Sequence, residues 1–270
     1  VSRKIKERQG IDMTAFKKQM QRHVSFFWGL AMLSAALTVP HGTSGSALAA
    51  SDSGGTRVIV IDPGHGGHDR GAESRGGEYE KDITLLLALA MADALRPDYR
   101  VVLTRTGDYH LDLARRASAA NQHRADLFIS LHLGGSRQQH VNAWEIYTFG
   151  DHPDMARRHG ADAQVPVTSS KVQNNDGILW REIQPRHETA GLNLAECLKS
   201  QFQSDLRIPA VEIRQAPLRV LQGVDAPAVV LEAGYLTNPA ARDALKDPRF
   251  LSDVGIHIRK AVDAYFQSGK

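Results

Sequence analysis

Four short runs of apolar, mostly β-branched residues set the strongest limit on how this chain can fold. They are Arg57-Val58-Ile59-Val60-Ile61, Val101-Val102-Leu103, Leu127-Phe128-Ile129-Ser130-Leu131 and Ala228-Val229-Val230-Leu231. A strand with one wet face alternates apolar and polar residues, whereas a continuous apolar run needs cover on both faces, as in a mostly parallel sheet. Helix-period segments separate these runs. Ile83, Leu86, Leu87, Ala90, Met91, Ala94 and Leu95 recur at helical spacing and stop before Pro97. Asp112 to His123 predicts a second helix. Val254, Ile258, Ala261, Val262, Tyr265 and Phe266 mark a terminal one, with Asp247-Pro248 as its cap and first residue. Asn238-Pro239 opens the preceding helix in the same way. The expectation is one α/β domain over residues 57–267. It has a mostly parallel central sheet flanked by helices, and its active site lies at the carboxyl ends of the strands. The middle, from about residue 142 to 216, is less legible. Trp144 to Phe149 reads as a strand, residues 169–187 show no period, and a helix resumes near Thr189 and runs to about Phe202.

Charge is unevenly placed along the chain. The sequence pI is near 9.0, but residues 1–50 carry seven Lys/Arg (Arg3, Lys4, Lys6, Arg8, Lys17, Lys18, Arg22) against Glu7 and Asp12. Of the 33 basic and 30 acidic residues, 26 and 28 remain beyond residue 50, so the body of the chain is slightly acidic. Such a body lacks the basic footprint of a nucleic-acid binder. Residues 1–50 read instead as an export leader, with Met13 as an alternative start. A basic stretch to Arg22 precedes an apolar run, Val24 to Val39, and the small-residue tail Ala47-Leu48-Ala49-Ala50 offers a cleavage site. The apolar run falls short of the ~20 residues of a membrane span. The expected location is outside the cytoplasm, the periplasm by preference, with no membrane contact after cleavage. Residues 51–56 read as a linker. A single cysteine, Cys197, excludes an intramolecular disulfide and any multi-cysteine metal site.

Three polar residues sit just past predicted strand ends: His65 in Asp62-Pro63-Gly64-His65-Gly66-Gly67, His132 in Ser130-Leu131-His132, and Glu232 in Leu231-Glu232-Ala233-Gly234. Open α/β sheets bind ligands at that edge, so the three side chains can converge. Glu80 opens the first helix, in Glu80-Lys81-Asp82. Two imidazoles and a carboxylate make a sound zinc set that leaves a coordination position open. A second carboxylate nearby can then act as proton shuttle. Duller readings exist for each. A histidine after a strand is often hydrogen-bonded structure, and Glu80 also suits the positive end of a helix dipole. His68, three residues beyond His65, is a rival ligand. Glu232 is harder to dismiss, because an unpaired charge at a buried strand end is costly.

Taken in order, these pieces resemble the catalytic domain of the zinc-dependent N-acetylmuramoyl-L-alanine amidases of the type 3 amidase family. The matching segments are Asp62 to Gly67, Glu80-Lys81-Asp82, Leu103-Thr104-Arg105, Arg116 with Ala120-Asn121, Ala125 to His132, and Leu231 to Asn238. The resemblance implies that His65, Glu80 and His132 bind Zn2+ and that Glu232 is the catalytic glutamate. The implied substrate is peptidoglycan, cut by activated water at the amide between N-acetylmuramic acid and L-alanine of the stem peptide.

Two departures from the family pattern stand out. The family usually continues past the second histidine with Ala and then Asn or Asp, whereas Leu133-Gly134-Gly135 follows here. Some relatives also carry an inserted helix that blocks the zinc until an activator protein removes it. Residues 165–189 are the candidate segment, with Glu182 or Glu188 as the blocking carboxylate, although a plain substrate-binding loop is the first reading. Two alternatives share the same residues: a zinc peptidase or carboxypeptidase acting on the stem peptide, and a non-catalytic wall-binding protein on the same scaffold.

Overall fold

The computed structural model describes residues 55–136, 140–150, 182–204, 206, 208 and 210–269. The leader at 1–50, most of the linker, and residues 165–181 of the candidate insertion lie outside the described residues. Within the described residues, no helix is long and apolar enough to cross a membrane.

Six strands form the sheet: β1 (Val58–Pro63), β2 (Arg100–Leu103), β3 (Leu127–Gly134), β4 (Trp144–Thr148), β5 (Val211–Gln215) and β6 (Ala228–Tyr235). The order across the sheet is β2-β1-β3-β6-β4-β5. The first four strands run parallel, β4 pairs antiparallel to β6, and β5 runs parallel to β4. The four apolar runs are β1, β2, β3 and β6, as their composition requires. They explain the mostly parallel sheet. The reversal at β4 was not legible in the sequence, and β5 went unrecognised in the illegible middle.

The helices are α1 (Glu80–Leu95), α2 (Leu113–Gln122), α3 (Glu188–Ser204), α4 (Pro239–Ala244) and α5 (Pro248–Gln267). Their starts follow from local chemistry. Asp112, Asn238 and Asp247 each accept a hydrogen bond from a first-turn amide, and proline occupies the first position of α4 and α5.

Both faces of the sheet are buried. Ile59, Ile61, Ile129 and Leu231 share one core with Leu86 and Met91 of α1, Leu194 and Leu198 of α3, and Val254 and Ile258 of α5. Val58, Val60, Phe128 and Val230 point the other way, onto Ala117 and Ala120 of α2 and onto Leu221 and Val224. The two-residue period of a strand decides which side chain goes to which face. Asp62, Ser130, His132 and Glu232 therefore continue the α2-facing rows towards the carboxyl ends of β1, β3 and β6. On β4, Tyr147 joins the same core, and Glu145 lies on that face too.

Candidate metal centre

His65, Glu80 and His132 meet at the strand ends. One donor atom from each lies within 4.8 Å of the other two. Glu80 Oε1 is the hub, 3.0 Å from His65 Nε2 and 3.0 Å from His132 Nδ1. The two imidazole rings stand edge to face, with centroids 4.9 Å apart. Glu80 and His65 are each braced from behind. Glu80 Oε1 accepts the Leu133 amide at 3.0 Å and Oε2 the Ala72 amide at 2.8 Å. His65 Nδ1 donates to Asp69 Oδ1 at 2.8 Å, which leaves Nε2 to face Glu80. Such a carboxylate behind an imidazole fixes its tautomer and ring orientation. Asp69 was not singled out from the sequence, although its position four residues past His65 in the same glycine-rich loop could have suggested it.

Electrostatics fit a cation between these donors. Burial opposes ionisation of Glu80, yet hydrogen bonds from His132 and His65 hold its carboxyl well below the usual carboxylate range. Burial also opposes protonation of His132, but its bond to Glu80 wins and pushes the imidazole up to about 9. Two imidazoles aimed at one buried carboxylate oxygen are the donor set of a zinc-type site, in which ligands ~2.0–2.1 Å from the ion stand about 3.3 Å apart. Two glycines leave room for the donor side chains themselves. A Cβ on Gly64 would lie 2.5 Å from His132 Cε1, and one on Gly71 would lie 2.5 Å from Glu80 Oε2 and 2.6 Å from His65 Cδ2.

Glu232 stands beside this cluster, in register with His132 across β3 and β6. Its Oε2 is buried without a hydrogen-bond partner. Burial pushes its carboxyl up to about 7; His132 counteracts this, while the Glu80 and Glu145 carboxylates add to it. An unpartnered buried carboxyl next to a cation site has the make-up of a proton-transfer group. Glu145 was missed in the sequence because only the antiparallel pairing of β4 with β6 sets it opposite Glu232. It accepts the Tyr147 hydroxyl at 2.7 Å and pairs with Arg214 Nε at 2.8 Å.

The rival readings fall elsewhere. His68 stacks on His110, with ring centroids 4.2 Å apart, and takes no part in the donor cluster. Glu188 opens α3 and accepts Gln215 Nε2 at 3.0 Å, while Glu182 is exposed; neither belongs to the donor cluster. The Leu133-Gly134 departure has a local consequence. The Leu133 amide serves Glu80, and a Cβ on Gly134 would lie 2.6 Å from the Tyr235 ring, so that ring occupies the space a side chain at 134 would take.

A mostly parallel α/β sheet that gathers two imidazoles, a shared carboxylate and a second, unpartnered carboxylate at its strand ends has the make-up of a metal-assisted hydrolase. Residues 59–264 match the family model described as N-acetylmuramoyl-L-alanine amidase. The chain belongs to this family. It is 31% identical over 232 residues to N-acetylmuramoyl-L-alanine amidase AmiA of Escherichia coli (strain K12), covering 80% of this chain and 78% of that protein. Among solved structures it is similar to N-acetylmuramoyl-L-alanine amidase AmiC2 of Nostoc punctiforme, with TM-score 0.61 and 25% identity over 79% of this chain and 98% of that one. It is also similar to the catalytic domain of the amidase CwlV of Bacillus (Paenibacillus) polymyxa var. colistinus, with TM-score 0.57 and 26% identity over 78% and 99% of the two chains.

Proposed function

We propose that this protein hydrolyses the amide bond joining N-acetylmuramic acid to L-alanine in peptidoglycan, with His65, Glu80 and His132 as ligands of a zinc ion and Glu232 as the catalytic proton carrier. The observation that carries the reading is the convergence of the three donors beside the unpartnered Glu232, on a chain that matches the amidase family over residues 59–264. A zinc ion held by these residues would supply an acidified water and polarise the scissile carbonyl.

The protein's own groups do the rest. Glu232 Oε2, with no competing hydrogen bond, accepts the proton of the attacking water. As the C–N bond breaks, the same oxygen returns that proton to the departing alanine nitrogen, leaving a lactyl carboxylate on the sugar and a free amine on the peptide. The Leu133 and Ala72 amides keep Glu80 turned inward, and Asp69 keeps His65 Nε2 facing it. The apolar run, basic stretch and small-residue tail of residues 1–50 support export to the periplasm, where an intact wall is within reach. Residues 165–189 are read first as a substrate-binding loop and second as a blocking segment released by an activator protein; in the second case deletion of that segment should raise basal activity.

Digestion of purified wall tests the reaction. An amidase frees intact stem peptides bearing an L-alanine amine and leaves bare glycan strands. A peptidase leaves L-alanine on the glycan, and a binding protein releases nothing. Either of those products overturns the proposal, and metal analysis of the active protein tests the zinc.

A further inference from the structure

Two buried arginines lie beneath the loop that carries His65, and the hydrolytic reaction gives them no task. Arg105 is fully buried and Arg116 is 3% exposed. Between them they take three consecutive backbone carbonyls. Arg105 Nε and Arg116 Nη1 donate to Pro63 O at 2.9 and 2.8 Å, Arg105 Nη2 to Gly64 O at 2.8 Å, and Arg116 Nη2 to His65 O at 2.8 Å. Arg116 Nη1 also binds Asp62 Oδ1 at 2.7 Å. Asp62 is itself fully buried and held by Thr104 Oγ1 at 2.5 Å and Ser130 Oγ at 2.9 Å. Burying guanidinium groups is expensive unless their donors are satisfied, and a surface loop can be closed with far cheaper side chains.

The conformation of the loop explains the expense. His65 has φ 60, in the left-handed region that non-glycine residues avoid. Such a residue persists only where its surroundings over-determine it. Its own carbonyl is the one that Arg116 Nη2 holds. The other two ligands have no such need: Glu80 sits in the first turn of α1, and the backbone of His132 lies in the β3–β6 ladder. Asp69 steers the His65 ring but belongs to the same loop, so it cannot fix that loop by itself.

We propose that Arg116, locked in place by Asp62, is a positioning residue of the metal centre: from α2 it sets the affinity for a divalent cation by holding the His65 backbone, without touching the cation. The proposal rests on the reading of His65 as a ligand. Arg116→Lys keeps the charge but loses the fork, and one ammonium cannot serve Asp62, Pro63 and His65 together.

The test is zinc affinity of the full chain, measured by competition with a chromogenic chelator well below the unfolding temperature. Arg116→Lys is expected to weaken binding about ten- to hundredfold, the usual effect of losing support behind a ligand. Arg115→Lys, on the exposed side of the same helix, is expected to bind like the parent. A purely structural role for Arg116 would lower the melting temperature and leave affinity in the cold untouched. Should Arg116→Lys fail to fold, Ser130→Ala and Thr104→Val each loosen Asp62 and should show a smaller loss in the same direction. Parent affinity in folded Arg116→Lys, or in both of these variants, overturns the proposal alone. A parent chain that binds no zinc overturns the ligand reading of His65, and this proposal with it.

Discussion

Glu232 and Glu145 stand directly opposite each other where β6 meets the antiparallel strand β4, and their surroundings treat them differently. Glu145 is neutralised by Arg214 and hydrogen-bonded by Tyr147, whereas Glu232 Oε2 has no partner. Two adjacent carboxylates with such different partners are suited to separate roles, the unpartnered one being the candidate for proton transfer. Arg214 and Tyr147 occupy the Glu145 carboxylate, while its charge still bears on Glu232.

Replacement of Glu232 by Gln keeps the shape of the side chain and removes its basicity. Wall-digesting activity should fall by about 10²- to 10⁴-fold, with the metal content of the protein unchanged. Loss of both together would mean that Glu232 serves the site as a ligand or a support and not as the proton carrier.

The same substitution should stabilise the metal-free protein, and only on one side of the titration. Glu232 is pushed up to about 7 from an ordinary 4.5. The fold therefore holds the proton more tightly than the unfolded chain does. No cost arises below the unfolded value, and the cost grows as pH rises from 4.5 to about 7, then stays. Urea unfolding at about pH 8 should show Glu232→Gln more stable than the parent by roughly 1–3 kcal/mol, with no difference near pH 4. Equal stability at both would show that burial does not disfavour the ionised carboxylate.

Uptake of a cation should expel a proton. In the metal-free protein His132 is raised to about 9 through Glu80, so at neutral pH it is an imidazolium and must lose its proton to bind metal. Zinc affinity should therefore climb about tenfold per pH unit and level off near pH 9. Titration calorimetry in buffers of different ionisation enthalpy reads the proton count directly. A pH-independent affinity below that plateau would place His132 outside the ligand set.

Gly71→Ala should damage the centre while sparing the fold. Gly71 has φ +65, and its added Cβ would meet Glu80 Oε2 and His65 Cδ2 at 2.5 and 2.6 Å. The loop must then shift away from two of the proposed ligands at once. Zinc affinity should drop by at least an order of magnitude, and the far-ultraviolet dichroism should stay that of the parent. Parent-like affinity would show that the loop adapts without moving either ligand.

Much of the molecule was legible from local pattern. Continuous apolar runs identified β1, β2, β3 and β6, and helical spacing with cap residues identified α1, α2, α4 and α5. His65, His132 and Glu232 were readable because each stands at the carboxyl end of a buried apolar run, and Glu80 because it opens a helix beside the same edge. Strands β3 and β6 nevertheless continue through His132 and Glu232, and only His65 lies past its strand. The ordered motifs also pointed to the family that residues 59–264 match. The Val211–Gln215 strand escaped notice because its Glu and Arg break the apolar run.

Hydrophobic periodicity is a local property: it records which faces of a segment are buried, and it therefore fixed the element types and the polar residues at their ends. Long-range partnership is not written in any window of sequence. Only the tertiary path reverses β4 against β6 and sets Glu145 facing Glu232. Only that path leaves His68 stacked on His110 while His65 meets Glu80. It also brings Arg116, 51 positions along the chain, onto the His65 carbonyl. Each of these pairings is set by backbone direction and by the burial of charge, and the chain settles both only when it closes on itself.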